Sequence, residues 1–328
     1  MVKLKTRFTE QVGIEYPIIC GAMYPCSNPE LVAAVSEAGG IGIVQPLSLT
    51  YVHGYELKKG LEYIRSLTSK PYGMNIIVEQ SSQTYENRMR HVVDVALQEG
   101  CRFFVTALGN PQWVVEKVKE KGGIVYHDAT ERRWAEKALK YGVDGLICVN
   151  NRAGGHAGSK TPQDLYEELK DLGVPLICAG GIGEKNDFVR ALELGYDGVQ
   201  MGTRFIATRE CSEKANYKQA IVDADAKDIV LTERVTGIPL SVIKTPYVEK
   251  MGTKVGPLSK YLLKNRWTKK YMRLWYGWKA IRDFKKVTQH GHSTKDYWQA
   301  GKSVSGVHSI ESASDVIMDM VKLPNVHE

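Results

Sequence analysis

The strongest constraint on this chain is an alternation that runs through its first two hundred residues. Short β-branched and apolar runs at 18–23, 41–44, 72–78, 103–107, 124–127, 145–149, 175–179 and 198–201 are separated by stretches with helical periodicity. The helical stretches fall at 28–38, 55–67, 85–98, 111–121, 131–141, 162–171 and 185–194. Asn28 is placed to cap the first of them, with Pro29 at its first helical position. Strands joined by helices must run parallel, because a crossover of that length returns the chain to the same edge. Eight is the number that closes such a sheet into a barrel. The rival, an open doubly wound sheet, carries a GxGxxG turn after its first strand, and the sequence has none. The expected fold is therefore α/β, a (β/α)8 TIM barrel. Two look-alike segments, KYGVDGLIC and ELGYDGVQM, fit a repeated barrel unit.

Past Phe205 the alternation loosens. Residues 1–210 are expected to form the barrel, 211–300 a helical insertion that covers the substrate, and 301–328 a closing helix that packs back on it. The insertion is distinct in charge. Between Lys244 and Lys286 there are thirteen Lys and Arg against Glu249 and Asp283, a net of +11 within a chain of +7, which leaves −4 elsewhere. Seven aromatics from Tyr261 to Phe284 interleave with these cations. Such asymmetry concerns partners rather than fold. No apolar run reaches the ~20 residues of a membrane-spanning helix, and the first ten residues lack a signal-peptide core. The six cysteines are scattered without metal spacing, so no metal is expected and a reducing cytoplasm fits.

Barrel chemistry sits at the carboxyl ends of the strands. After strand seven comes Gly180-Gly181-Ile182-Gly183, and after strand eight Gly202-Thr203-Arg204. Glycines let backbone amides approach a phosphate, and a following helix start adds a favourable dipole. These are also the two loops where barrels of this type hold phosphate. The alternative is a pair of plain tight turns. After strand six comes Asn-Asn-Arg-Ala-Gly-Gly-His-Ala-Gly, which presents His156 between glycines as a candidate general base. The alternative is a loop histidine bonded to backbone. Ala22 and Met23 after strand one, and Asn75 on strand three, would suit the edge of a planar hydrogen-bonding ring. As alternatives, Met23 is core and Asn75 caps a strand end.

The segments KTRFTEQVGIEYPIICGAM, AGGIG, NRAGGHAG, ICAGGIG and QMGTRFIATRE together resemble the nitronate monooxygenase (2-nitropropane dioxygenase) family of barrel oxidoreductases. That family includes FMN-dependent enoyl-acyl-carrier-protein reductases and NADH:quinone reductases. The likeness covers most of 5–212 and returns at YWQAGKSVSGVHSI. It implies FMN. Gly180, Gly181, Gly202 and Thr203 would hold the phosphate. Ala22, Met23, Asn75, Gly155 and Gln200 would line the rest, and His156 matches the catalytic histidine. Asp128 falls where relatives place a lysine near the flavin pyrimidine. A further departure is Asn151 or Arg152, where many relatives carry an acid.

The resemblance implies oxidation of nitronates or nitroalkanes with O2. The alternative it leaves open is NAD(P)H-dependent reduction of an enoyl thioester or quinone, with the basic segment 244–286 receiving an acyl carrier protein or acyl-CoA. A third reading gives that segment to a membrane or nucleic acid, although no nucleic acid is expected. A small-molecule substrate and a homodimer are compatible with all of this.

Overall fold

The computed structural model describes residues 3–79, 83–234, 239–254 and 297–322. Eight parallel strands close into a barrel in sequential order: β1 (Ile18–Cys20), β2 (Ile41–Val44), β3 (Gly73–Ile77), β4 (Phe103–Ala107), β5 (Ile124–Ala129), β6 (Gly145–Val149), β7 (Leu176–Ala179) and β8 (Gly198–Met201). Closure is direct, since Ile18 to Cys20 of β1 pair with Val199 to Met201 of β8. The connecting helices are α2 (Pro29–Glu37), α3 (Leu57–Leu67), α4 (Gln83–Gln98), α5 (Gln112–Glu120), α6 (Arg132–Lys140), α7 (Pro162–Leu169) and α8 (Lys185–Leu194). The expected (β/α)8 barrel is thus the fold, and the strands at 41–44, 103–107, 145–149 and 198–201 begin and end where the sequence placed them.

Two elements complete the barrel in ways the alternation did not reveal. A helix ahead of the first strand, α1 (Arg7–Val12), plugs the amino-terminal end. Its Phe8, wholly buried, meets Phe103 and Tyr126 at ring-centroid distances of 5.9 and 5.7 Å. Arg7 grips Asp197, just ahead of β8, through Nε at 2.9 Å and Nη2 at 2.8 Å. At the other end of the chain, β8 is followed only by the four-residue α9 (Thr203–Ile206). The eighth outer helix comes instead from the last helix, Ala313–Val321. It packs between α8 and α2 and buries Ala313, Val316, Ile317 and Met320.

The reading of 211–300 as helical needs correction in its described part. Beside α10 (Ala215–Asp223) and α11 (Pro246–Met251) stand β9 (Ile229–Thr232) and β10 (Leu240–Ile243), an antiparallel pair. IVLT and LSVI are too short to declare themselves locally. Their pairing is supported by contacts distant in sequence, a bridge from Ser241 to Gly155 and one from Val242 to Gln299. Residues 255–296, with most of the basic and aromatic segment, lie outside the described residues. The closing segment is also less helical than expected. Between Gln299 and the last helix only a turn at Lys302–Gly306 is helical. A Cβ on Gly301 would lie 2.6 Å from both the Arg152 carbonyl oxygen and the Gly154 amide nitrogen, so two backbones touch there. Among the described residues no helix is long and apolar enough to cross a membrane.

Candidate active site

Side chains alternate across a strand, and the barrel interior is filled by Ile19, Ile41, Ile43, Phe103, Val105, Tyr126, Ile147 and Ile177. Two residues beyond the members of that layer come Gly21, Ala107, Asp128, Val149 and Ala179. Asn75 and Gln200 hold the equivalent places on β3 and β8. This ring floors a cavity of about 940 Å³ at the carboxyl-terminal mouth, within the range of small-molecule sites. Every residue singled out from the sequence lines it: Ala22, Met23, Asn75, Asp128, Gly155, His156, Gly180, Gly181, Gln200, Gly202 and Thr203.

The glycine loops are shaped by backbone demands. Gly180 and Gly181 lie at φ +118° and +83°, where side chains are strained. A Cβ on Gly181 would fall 2.3 Å from Arg152 Nε. A Cβ on Gly202 would meet only the Met23 side chain, at 3.3 Å and beyond, and would project into the cavity. Asn150 ties these loops to the histidine loop. Its Nδ2 donates to the Gly180 carbonyl at 2.9 Å, and its Oδ1 accepts from the Arg152 amide at 2.8 Å. Thr203 Oγ1 accepts from the Gly301 amide at 2.9 Å. Just ahead of α8, Asp187 Oδ2 accepts from the Gly183 amide at 3.0 Å, so that amide is committed within the chain.

His156 sits at the mouth, on a loop clamped from outside. Ser241 donates its amide to the Gly155 carbonyl at 2.8 Å, and Lys302 to that of Arg152 at 2.9 Å. Desolvation holds the His156 pKa below the usual imidazole value, which favours the neutral, basic form. Asn75 Nδ2 donates to the Val105 carbonyl at 3.2 Å. Asp128 is different, for its Oδ1 is buried with no hydrogen-bond partner. Burial alone pushes its pKa up to about 7. Next to it His127 also borders the cavity, with Nδ1 2.8 Å from Thr106 Oγ1, and burial lowers its pKa to about 4.

Sequence reasoning missed Asn150, Gln299, Ser303, Tyr217 and Leu240. The first was readable as an amide at a strand end. The others reach the cavity only because the chain after β8 folds back over the mouth.

A glycine-cradled cavity with a histidine and a buried carboxyl, at the carboxyl end of a (β/α)8 barrel, defines a barrel enzyme of the ligand-at-the-mouth type. Comparison with known proteins narrows this. The nitronate monooxygenase family model matches residues 5–322. A 5-hydroxy-7a-methyl-1-oxo-octahydro-1H-indene-4-carboxyl-CoA dehydrogenase of Rhodococcus jostii is 30% identical over 252 residues, 76% of this chain and 69% of that protein. A probable nitronate monooxygenase of Staphylococcus saprophyticus is 28% identical across 81% of this chain and 86% of its own. Among solved structures, FabK from Thermotoga maritima superposes with TM-score 0.80 at 28% identity, covering 98% and 96% of the two chains. The chain belongs to the nitronate monooxygenase family, and with it to the oxidoreductases of a flavoprotein family.

Proposed function

We propose that this protein is an FMN-dependent oxidoreductase that acts on a carbon acid, with a nitronate or nitroalkane as substrate and O2 as oxidant. The observation that carries the reading is His156, held in its neutral form at the mouth of the same cavity that the Gly180–Gly181 and Gly202–Thr203 loops line. The residues fit FMN. The glycine loops would take the phosphate, Ala22, Met23, Asn75 and Gln200 the ring and ribityl chain, and His156 the space above. The absence of a dinucleotide fingerprint argues for FMN over FAD. Bound there, the flavin supplies two-electron redox chemistry and reactivity toward O2.

The protein's share of the work is proton handling and positioning. Neutral His156 has an imidazole nitrogen free of its second proton, able to accept one from the carbon that bears the nitro group or to hydrogen-bond the anionic nitronate. The clamped loop fixes the backbone that carries the ring, which limits where the imidazole can lie when substrate enters. Activity should rise with pH through the His156 pKa, which lies below the ordinary imidazole value.

Two observations favour a second reading. The CoA-linked relative and the +11 segment both suit an acyl thioester, reduced by way of NAD(P)H. Anaerobic mixing of the yellow protein with NADH, NADPH and a nitronate in parallel separates the two. Bleaching by the nitronate alone supports the first, and bleaching by a nicotinamide supports the second. Replacing Lys269, Lys270, Arg273, Lys285 and Lys286 with Gln should raise KM for a CoA- or carrier-linked substrate and leave kcat. High salt should act alike, because exposed charges are screened within about 8 Å at physiological ionic strength. Heat-released chromophore identified as FAD, or no chromophore, would overturn the FMN assignment.

A further inference from the structure

We infer that Asp128 serves the flavin as a neutral carboxylic acid, donating its proton in a hydrogen bond to an acceptor atom of the bound ring. The inference rests on the FMN reading above and adds a protonation state and a role to one residue. Asp128 lies two positions beyond inward-facing Tyr126 on β5, so its carboxyl enters the ring of side chains that floors the cavity. Asn75 and Gln200 share that ring from β3 and β8. Of the polar groups in it, Asp128 alone has a buried oxygen that no described residue satisfies.

Among the described residues no neighbour neutralises an ionised carboxylate at Asp128. His127, which also borders the cavity, has its charged form disfavoured by burial and is bonded through Nδ1 to Thr106 Oγ1. Thr106 Oγ1 lies 3.1 Å from the Tyr126 carbonyl and spends its one proton there. It therefore accepts from His127 Nδ1–H. Cys148 on β6 is the titratable group that senses Asp128, and burial keeps its thiol protonated. Lys137 and His156 line the same cavity, yet neither offsets the burial of Asp128, and among the described residues Asp128 enters no salt bridge. A desolvated carboxylate without a cation is costly enough that such a group takes up a proton instead.

A protonated carboxyl has one hydrogen to place, and toward the cavity no described residue accepts it. The flavin ring offers carbonyl oxygens and ring nitrogens there. A lysine at this position would stabilise negative charge on the reduced ring by its own charge. A neutral acid does so by a hydrogen bond and leaves the site's net charge unchanged, the arrangement by which a buried acid serves an oxyanion.

The two protonation states predict opposite pH dependence. An acid that donates binds the ring best when protonated, so FMN affinity should fall as pH rises through the Asp128 pKa, by up to about tenfold per pH unit. A carboxylate that accepts from the ring N–H would bind better as pH rises. The test uses the full-length chain stripped of flavin and titrated with FMN by fluorescence quenching, from mildly acidic to mildly alkaline pH. Wild type, Asp128→Asn and Asp128→Ala are compared. Titration of the FMN phosphate is common to all three, so the readout is the difference between them. Asp128→Asn keeps a donor and cannot ionise, so the alkaline fall should vanish. Asp128→Ala should bind about two- to tenfold more weakly at low pH and also lose the fall. In the flavin-loaded protein, infrared difference spectra should contain a protonated-carboxyl band that shifts on flavin reduction and is missing in Asp128→Asn. Affinity that rises with pH relative to Asp128→Asn, or identical curves for all three proteins, would overturn the inference. Failure to bind FMN at any pH would instead sink the cofactor reading, and this one with it.

Discussion

The two ends of the barrel are built from the same eight strands and are opposite in kind. At the amino-terminal end α1 seals the barrel with Phe8 against Phe103 and Tyr126, whose own rings lie 5.2 Å apart. Polar groups there are paired. Asp197 accepts from Arg7 and from the Leu176 amide, and Tyr126 donates to Gln11 Oε1 at 2.8 Å. At the carboxyl-terminal end the equivalent volume is open. It is bounded by glycines in left-handed conformation, a histidine whose charged form is disfavoured, and a carboxyl with a bare oxygen. The closed end is optimised for packing. The open end carries backbone conformations that only glycine adopts freely and unmet hydrogen-bonding capacity that a ligand can use. A change at the first should therefore register in stability and a change at the second in binding or turnover.

The largest effect that could break this contrast belongs to Gly181→Val. The site demands φ +83° and leaves no room beside Arg152, so the purified protein should carry no FMN, read from its visible absorbance. Full occupancy would place the phosphate elsewhere. Next, His156→Ala should cost about 10²–10⁴-fold in turnover with flavin still bound and the melting temperature unmoved. A drop in thermal stability without loss of rate would make His156 a structural residue. At the closed end, Phe8→Ala should cost about 3–5 kcal/mol of unfolding free energy in urea titrations, and flavin content at low temperature should be unchanged.

A smaller effect tests His127, which lies on the wall between the two regions. Its folded pKa of about 4 lies below the 6.5 of the unfolded imidazole, so the unfolded state takes up the proton first. Stability is full above the unfolded value and is lost as pH falls from there toward the folded value, by at most about 3 kcal/mol. His127→Gln should flatten that acid limb in denaturant melts, and an unchanged slope would refute the assignment. The smallest effect is expected for Gly173→Ala. Gly173 has φ +77° at the closed end, and a Cβ there would meet nothing within 4 Å. Only backbone strain remains, about 1 kcal/mol, and FMN should bind normally. Gly173 and Gly181 thus separate the conformational cost of a left-handed residue from the cost of filling a ligand's place.

How much of this was legible beforehand follows from the range of the forces involved. The strands and helices of the barrel were written in local periodicity. Ordinal position carried Asn75, Gly181, Gly202 and His156 to one mouth, and the family resemblance added Asp128, Gly155 and Gln200. That is why residues spread from 22 to 203 could be gathered into one cavity without coordinates. The chain after β8 was not legible in this way. β9 and β10 pair through contacts with Gly155 and Gln299, and the last helix finds its place because α9 is too short to fill the eighth position. Nor could the sequence tell that Asp187 occupies the start of α8. Least of all could it tell that Asp128 has no cation beside it among the described residues. Charge identity is local, but the pKa of a carboxyl depends on what surrounds it in space, and that the tertiary structure alone decided.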